Sequence, residues 1–477
     1  MDFTKLFYID GKWVDPVGTT QIQVVNPATE NSIADVALGA EEDIDRAVKA
    51  ARRAFSNYSA TSPEQRVRLL ERILEAYQEH VEELAQTLTS EMGAPISFAR
   101  QAQVPLGMAH LRKMIEVLRS YEFEYAKGSS LIVEEAIGVC GLITPWNWPI
   151  NQIMCKVVPA LAAGCTMVLK PSEVAPLNAI ILARIFDQAG VPEGVFNMVQ
   201  GEGAIVGEAI SSHPDIDMVS FTGSTRAGVL IAKSAANTVK RVHQELGGKS
   251  ANIILPDADL KTAVTRGLHG CYRNAGQTCT APTRMYVHRS QLSDVIKIAQ
   301  KAAEQITVGD PTNEMVELGP LVSDVHYQKV QAMIKRGCDE GAELVSGGPG
   351  RPEGLEQGYF AQPTIFARVT SDMTIAQEEI FGPVLSILSY DNEEEVISLA
   401  NSSNYGLAAY VQSSNLKRAR NVARRMRAGS VQINYPPFDA GSPFGGYKQS
   451  GNGREYAEFG LAEYLEVKGL VGYAPAE

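Results

Sequence analysis

From about residue 138 onward, short apolar runs alternate with longer helical segments, and no other feature of the chain constrains its fold as tightly. Val139 to Ile143 is followed by Ile150 to Ala163, Met167 to Leu169 by Leu177 to Ala189, and Val195 to Val199 by Ala204 to Ile210. Met218 to Phe221 with the helix after Gly223, and then Arg241 to Leu246, add two further units. Strands that alternate with helices pair in parallel through right-handed crossovers, so the pattern predicts a doubly wound α/β sheet. Such sheets bind ligands beyond the carboxyl ends of their strands. A second α/β region is expected from about Gly247 to Pro443, with strands at Asn252 to Leu255, Arg284 to Val287, Val384 to Ser389, Ala408 to Gln412 and Ser430 to Asn434.

The segment before residue 138 reads differently. Ile44, Ala47, Val48, Ala51 and Phe55 share one helical face, and a third apolar stripe runs from Leu106 to Leu118. Between them, Ser62-Pro63-Glu64-Gln65 supplies an N-cap, a proline at the first helical position and a capping-box glutamine. The stripe behind it, Leu70 through Leu88, predicts one helix that Gly93 stops. Ser129 to Ile137 and Tyr464 to Gly472 read as isolated strands, which are marginal alone and add to another sheet, in this subunit or a neighbouring one.

Composition narrows the function classes. The 477 residues carry a net charge of −12, which repels phosphate backbones and anionic lipid surfaces, so neither nucleic acid nor a membrane is expected as a partner. The longest charge-free run near the middle, Val157 to Leu169, is too short and too interrupted to span a bilayer. The N-terminal residues do not read as a secretory signal, and the expected location is the cytoplasm, with reduced thiols. The 6 cysteines form no C-x-x-C pair and lie beside no histidine cluster, so no metal site is expected.

Two turns follow parallel strands and open helices, where a phosphate meets a helix N-terminus. They are Gly201-Glu202-Gly203-Ala204-Ile205-Val206-Gly207 and Phe221-Thr222-Gly223-Ser224, neither a standard dinucleotide fingerprint, and each alone is as well read as an ordinary turn. Lys170-Pro171-Ser172-Glu173 ends another strand; its Glu173 carboxylate could accept both ribose hydroxyls and repel a 2′-phosphate, or the loop is simply solvated. Among the thiols, Cys279 in Gly276-Gln277-Thr278-Cys279-Thr280-Ala281 has a small, polar setting without an aliphatic stripe, whereas Cys140 and Cys165 lie in apolar segments. Glu245 ends the last strand of the first block beside Gly247 and Gly248, which allow another segment to approach. Asn147 lies between Trp146 and Trp148 after the first strand, where its amide can donate to a developing oxyanion; the tryptophans also read as plain core anchors.

Taken together, Pro145-Trp146-Asn147, Lys170-Pro171-Ser172-Glu173, Phe221-Thr222-Gly223-Ser224, Glu245-Leu246-Gly247-Gly248, Gly276-Gln277-Thr278-Cys279, Glu378-Glu379-Ile380-Phe381-Gly382-Pro383 and Pro443-Phe444-Gly445-Gly446 resemble, in this order, the NAD(P)-dependent aldehyde dehydrogenase superfamily over essentially the whole chain. The resemblance implies an aldehyde dehydrogenase-like fold: two doubly wound, Rossmann-like α/β domains plus a small β oligomerisation element. Residues 1–121 and 138–246 would then form the NAD-binding domain, 247–445 the catalytic domain, and 122–137 with 460–477 the bridging strands of a dimer or tetramer.

It further implies that Cys279 attacks an aldehyde, that Asn147 holds the oxyanion and that Glu245 activates water against the resulting thioester. NAD, with NADP as the alternative, would be held by Thr144, Trp146, Lys170, Ser172, Glu173, Gly203, Gly207, Phe221, Gly223, Ser224, Leu246, Glu379 and Phe381. Trp148, Gln152, Cys155 and Phe438 would line the substrate tunnel, a group without a basic residue that favours an uncharged aldehyde unless Arg273 reaches it. His326 falls where related chains often carry glutamine and is read as a surface-loop histidine without a role. The rival readings are a CoA-acylating or phosphorylating relative and a binding protein that keeps the fold without turnover.

Overall fold

A computed structural model describes residues 2–474. Its largest sheet has eight strands in the order Lys12–Val14, Phe7–Ile9, Phe196–Met198, Thr166–Lys170, Val139–Ile143, Met218–Thr222, Arg241–Glu245 and Gly451–Asn452. The five inner strands are parallel, and both edges are antiparallel. Val139–Ile143, Thr166–Lys170 and Met218–Thr222 are buried at every position, as strands covered by helices on both faces must be. The chain order reverses at Val139–Ile143, which has Thr166–Lys170 on one side and Met218–Thr222 on the other. Its carboxyl end is therefore the crevice where such sheets bind ligands.

The second sheet has seven strands: Glu343–Ser346, Thr364–Ala367, Val384–Tyr390, Arg284–His288, Ala251–Ile254, Ala408–Gln412 and Ser430–Ile433, with only the first antiparallel. Its order reverses at Ala251–Ile254. The five strands expected here are present, and Glu343–Ser346 and Thr364–Ala367 are additions.

Helix Glu41–Ser59 covers one face of the first sheet with the predicted stripe: Ile44, Ala47, Val48 and Ala51 are buried against Ile143, Val168 and Val219. The other face carries helices Pro149–Ala163 and Leu177–Gln188, whose Ile153, Val157, Leu182 and Phe186 join the largest core. Each such side chain taken fully from water contributes roughly 1.5–3 kcal/mol. The capping box of Ser62 and Gln65 forms in both directions and opens helix Pro63–Glu79.

Three expectations change. The single helix expected through Leu88 breaks at His80, whose N–H turns to Tyr77 O, and a new helix, Val81–Met92, runs on to Gly93 at φ +76°. Residues 7–37 hold four short strands that helical periodicity concealed; Phe7–Ile9 is fully buried because it extends the sheet edge, with Tyr8 opposite Met198. The two strands read as isolated, observed at Ser130–Ala136 and Leu465–Leu470, pair with each other antiparallel, and Glu124–Lys127 adds a third, exposed strand. Residues 475–477 of the expected bridging segment lie outside the described residues.

Candidate active site

The carboxyl ends of the first sheet's strands meet the amino ends of the second sheet's strands through Gly247 and Gly248, which lead from Arg241–Glu245 into Ala251–Ile254. A Cβ on Gly247 would lie 2.5 Å from Glu379 Oε2, and one on Gly248 2.3 Å from the Cys279 carbonyl oxygen. Absence of a side chain is what lets the two loops close on the strand Arg241–Glu245. The Gly248 N–H donates to Glu379 Oε1 at 2.8 Å. Glu245, at the strand end, is 2% exposed. Gly445 makes room for its carboxylate: a Cβ there would sit 2.6 Å from Glu245 Oε1. Burial, then the nearby Glu455, pushes the Glu245 carboxyl well up, against the pull of Lys156 and Arg454.

Cys279 follows a sharply folded loop. After helix Leu260–Tyr272 the chain runs through Asn274, Ala275 and Gly276, all left-handed at φ 57°, 55° and 72°. A Cβ on Gly276 would fall 2.1 Å from the Gly382 carbonyl oxygen, so the loop packs backbone on backbone. The Asn147 amide Nδ2 donates to the Gln277 carbonyl at 3.0 Å, and Asn274 Nδ2 donates to the Asn147 carbonyl at 2.8 Å. Gln277 in turn accepts the Val322 N–H through its side chain at 2.9 Å. An amide has two N–H donors, so Asn147 keeps one for a reacting oxygen. Asn274 and Gln277 were not singled out in the sequence; an Asn ahead of Ala-Gly, tolerant of left-handed backbone, was the available signal. The Cys279 residue is half-buried. Burial, then the Glu379 and Glu245 carboxylates, pushes its thiol well up, so the thiol keeps its proton at neutral pH.

The expected cofactor residues gather along the crevice of the first sheet. Lys170 Nζ donates to Glu173 Oε2 at 2.6 Å, and the Gly203 N–H also faces that carboxylate. Burial alone would raise the Glu173 carboxyl, but Lys170 outweighs it and holds the group below its usual range. A Cβ on Gly203 or Gly207 would meet nothing within 4 Å, so this turn opens on free space. Ser224 caps helix Thr225–Ala235 by accepting the Ala227 N–H at 3.3 Å, and the Ser172 hydroxyl accepts the Val174 N–H at 3.2 Å. Phe221 and Leu246 are buried beside Gly223 and Gly228, respectively, and the buried Thr144 hydroxyl has no partner. An open glycine turn, a free buried hydroxyl and a carboxylate flanked by an ammonium fit a dinucleotide's phosphates and ribose.

His326 corrects the reading of a surface loop. It lies in the first turn of helix Asp324–Asp339, half-buried, with Nε2 2.7 Å from the Phe381 carbonyl. Its ring meets Trp146 edge-on at 5.3 Å and Phe381 at 5.9 Å, and Trp146 meets Phe381 at 5.5 Å. Burial drives this imidazole down to about 4, so it is neutral at physiological pH. The ring ties the backbone of Phe381, left-handed at φ 62°, to the tryptophan beside Asn147.

The tunnel group separates. Trp148 Nε1 donates to Thr278 Oγ1 at 3.0 Å, beside Cys279, and its ring meets Phe98 at 5.2 Å. The Arg273 guanidinium, the cation that could reach this group, stands 5.1 Å from the Phe98 ring and 5.5 Å from the Trp148 ring. Phe438 is 57% exposed and meets Tyr456 at 6.1 Å. The buried Cys155 thiol donates to Glu455 Oε2 at 3.2 Å, and Gln152 is buried one turn before it.

A separate surface cleft of about 520 Å3, lined by Asp217, Val239, Lys240, Arg241 and Glu466 among others, holds none of these residues. Among the described residues, no three His, Cys, Asp or Glu side chains gather as a metal site requires, and no helix is long and apolar enough to cross a membrane.

Comparison with known proteins extends this picture to whole chains. The model of the Aldehyde dehydrogenase family matches residues 13–470. A 3-succinoylsemialdehyde-pyridine dehydrogenase of Pseudomonas sp is 55% identical over 98% of this chain and 98% of its own. A mutant aldehyde dehydrogenase C of Pseudomonas syringae, crystallised with NAD+ and octanal, superposes with a TM-score of 0.99 at 54% identity, covering 100% of this chain and 98% of that one. An aldehyde dehydrogenase of Bacillus cereus in its NAD+ complex gives 0.94 at 42% identity, covering 98% and 96%.

Proposed function

The chain belongs to the aldehyde dehydrogenase family, and on that premise we propose that it oxidises an uncharged aldehyde to the carboxylic acid with NAD, through a covalent thioester on Cys279. The observation that carries the reading is the meeting of the Cys279 loop, the Asn147 amide and the Glu245 carboxylate where the carboxyl ends of the first sheet face the amino ends of the second.

The Cys279 thiol first gives its proton to water, and the sulfur then forms the bond to the aldehyde carbon as thiolate while the carbonyl π pair moves onto oxygen. The free Asn147 N–H and the Cys279 backbone N–H take the charge that collects on the oxygen. Bound NAD supplies the acceptor for the hydride that leaves the same carbon. Glu245 then takes a proton from water, the hydroxyl adds to the thioester carbon, and the acid departs as sulfur regains a proton. Lys170, Ser172, Glu173, Gly203, Gly207 and Ser224 would hold the adenosine and phosphate half of NAD, and Trp146, Glu379 and Phe381 the other half. Thr144, Phe221, Gly223 and Leu246 would form the floor between them. The Glu173 carboxylate favours NAD over a cofactor carrying a 2′-phosphate.

The first sheet with its helices is the cofactor domain of this proposal, the second sheet the catalytic domain, and the three-stranded sheet the bridge of a dimer or tetramer in the cytoplasm. Phe98, Trp148 and Phe438 support an aldehyde with an apolar aliphatic or aryl tail, and the relatives named for octanal and for a pyridine-bearing aldehyde agree with that class. Turnover of an aldehyde panel at fixed NAD tests the substrate class; a strong preference for a carboxylate-bearing aldehyde would show that Arg273 selects charge. Cys279→Ala is expected to abolish NADH formation. Glu245→Gln is expected to give one burst of NADH followed by little turnover, whereas release of acyl-CoA on adding CoA would favour acyl transfer over hydrolysis.

A further inference from the structure

Glu245 and His243 are two residues apart on one strand, so their side chains leave the sheet on the same face. Both are 2% exposed, and His243 Nε2 stands 3.6 Å from Glu245 Oε1. His243 Nε2 and both Glu245 carboxylate oxygens are buried without a hydrogen-bond partner. Unpartnered buried polar atoms are few in folded proteins, and three facing one another call for a reason.

We propose that His243 is the positioning residue of Glu245, its Nε2–H supplying the hydrogen bond that steadies the ionised carboxylate of the general base. This rests on the reading of Glu245 given above.

The neighbouring strand supplies the partner of the other ring nitrogen. Ser220 lies opposite His243 in the parallel pair, and its Oγ is 3.2 Å from His243 Nδ1. The same Oγ accepts from Lys156 Nζ at 3.0 Å. Lys156 also donates to Glu455 Oε1 at 2.6 Å, and Glu455 Oε2 accepts the Cys155 thiol. With an ammonium donating into Ser220, the serine's own hydrogen in this proposal points to Nδ1, which leaves the ring proton on Nε2, facing Glu245. Burial and Lys156 drive the imidazole down to about 3, so it donates without carrying charge. Gly453 packs against the ring: a Cβ there would lie 2.3 Å from its Cδ2.

The charges facing Glu245 are Glu455 and Glu463, which oppose its ionisation, and Lys156 and Arg454, which favour it. Lys156 is already spent on Glu455, and Arg454 donates through Nη1 to the Gly446 and Gly453 carbonyls, while Nε2 of His243 faces the carboxylate without another partner. A separation of 3.6 Å is longer than a hydrogen bond, and a small rotation of the flexible Glu245 side chain closes it. A donor at that oxygen favours the charged form, so His243 lowers the pH at which Glu245 can accept a proton from water.

The test compares His243→Leu, which removes the donor, with His243→Gln, whose amide reaches the position of Nε2. The leucine variant is expected to keep the pre-steady-state NADH burst while its steady-state rate falls about tenfold at pH 7 and the rising limb of its pH profile moves about one unit upward. The glutamine variant is expected to restore both. A leucine profile with the wild-type limb, or a glutamine variant that fails to restore it, overturns the inference. Imidazole 15N shifts of the unliganded wild-type protein, assigned through the glutamine variant, read the tautomer directly: Nε2–H supports the inference and Nδ1–H overturns it. Glu245→Gln separates the two ideas, because wild-type turnover there removes the general base itself, whatever His243 does.

Discussion

The side-chain amide of Asn147 donates to the carbonyl oxygen of Gln277 at 3.0 Å, which ties the loop after the first parallel strand to the loop that carries Cys279. The bond links the loop after the first sheet's strand to the loop of the second, and it leaves one N–H of the amide without a partner. Asn147→Ala removes both the tie and the free donor. A single preorganised oxyanion donor contributes about 10²–10³-fold to turnover. We therefore expect Asn147→Ala to lower kcat by about that factor while aldehyde KM changes less, with the thiol still open to alkylation; a kcat within threefold of wild type would remove Asn147 from the oxyanion site.

The raised Cys279 thiol sets the pH course of its alkylation. Burial, then Glu379 and Glu245, favours the protonated form, so the thiolate fraction grows as pH rises through and beyond the ordinary cysteine range near ~8.5. In the NAD-free protein the iodoacetamide rate at Cys279 should climb from pH 7 to 9 without reaching a plateau. Glu245→Gln deletes one of the opposing charges, moves the thiol down and should speed alkylation at pH 8. A plateau below pH 7.5 in the wild-type protein would contradict the direction.

Much of this site could be read in the residues. Cys279, Glu245 and Asn147 sit at strand or loop ends that periodicity located, and the two glycines at 247 and 248 foretold the close approach that brings in Glu379 and the Cys279 carbonyl. What stayed hidden depends on contacts between distant segments. His326 carries no local mark of burial, because Trp146 and Phe381 that cover it come from other loops. Nor does anything beside Cys155 in the sequence announce that its thiol meets Glu455, far along the chain. Phe7–Ile9 has no alternation since both faces are covered, and its strand character comes only from pairing with Phe196–Met198.

Lys170 and Glu173 form an ion pair at 2.6 Å with the lysine almost fully buried. The carboxylate there is the element expected to discriminate against a 2′-phosphate. Glu173→Gln keeps a hydrogen-bonding side chain but drops the charge, and it leaves the Lys170 ammonium free to meet an added phosphate. The ratio of kcat/KM for NAD to that for NADP should fall by about tenfold or more, which is the scale of one charged hydrogen bond. Titration of both nucleotides by quenching of tryptophan fluorescence gives the same comparison without turnover, and an unchanged ratio in both measurements would place the discrimination elsewhere.

Lys156 and Glu455 form the most buried ion pair of the protein's described residues, at 2.6 Å with side chains 0% and 2% exposed. Removing one partner of such a pair strands the other charge, at a cost of about 3–5 kcal/mol. Glu455→Gln should therefore lower Tm, more than a loss of the exposed pair between Lys49 and Asp45 would. The pH dependence follows from the direction of the shift. Burial raises the Glu455 carboxyl, but the Lys156 charge, with hydrogen bonds from Lys156 and Cys155, outweighs it, and the group lies below its usual range. A depressed carboxylate contributes stability in full above its unfolded value near ~4.3, and that stability is lost as pH falls through the lower folded value. Wild-type Tm should thus fall more steeply than that of Glu455→Gln between pH 5 and 3, so that the two curves converge in acid. Parallel curves would mean that Glu455 is not the ionised partner.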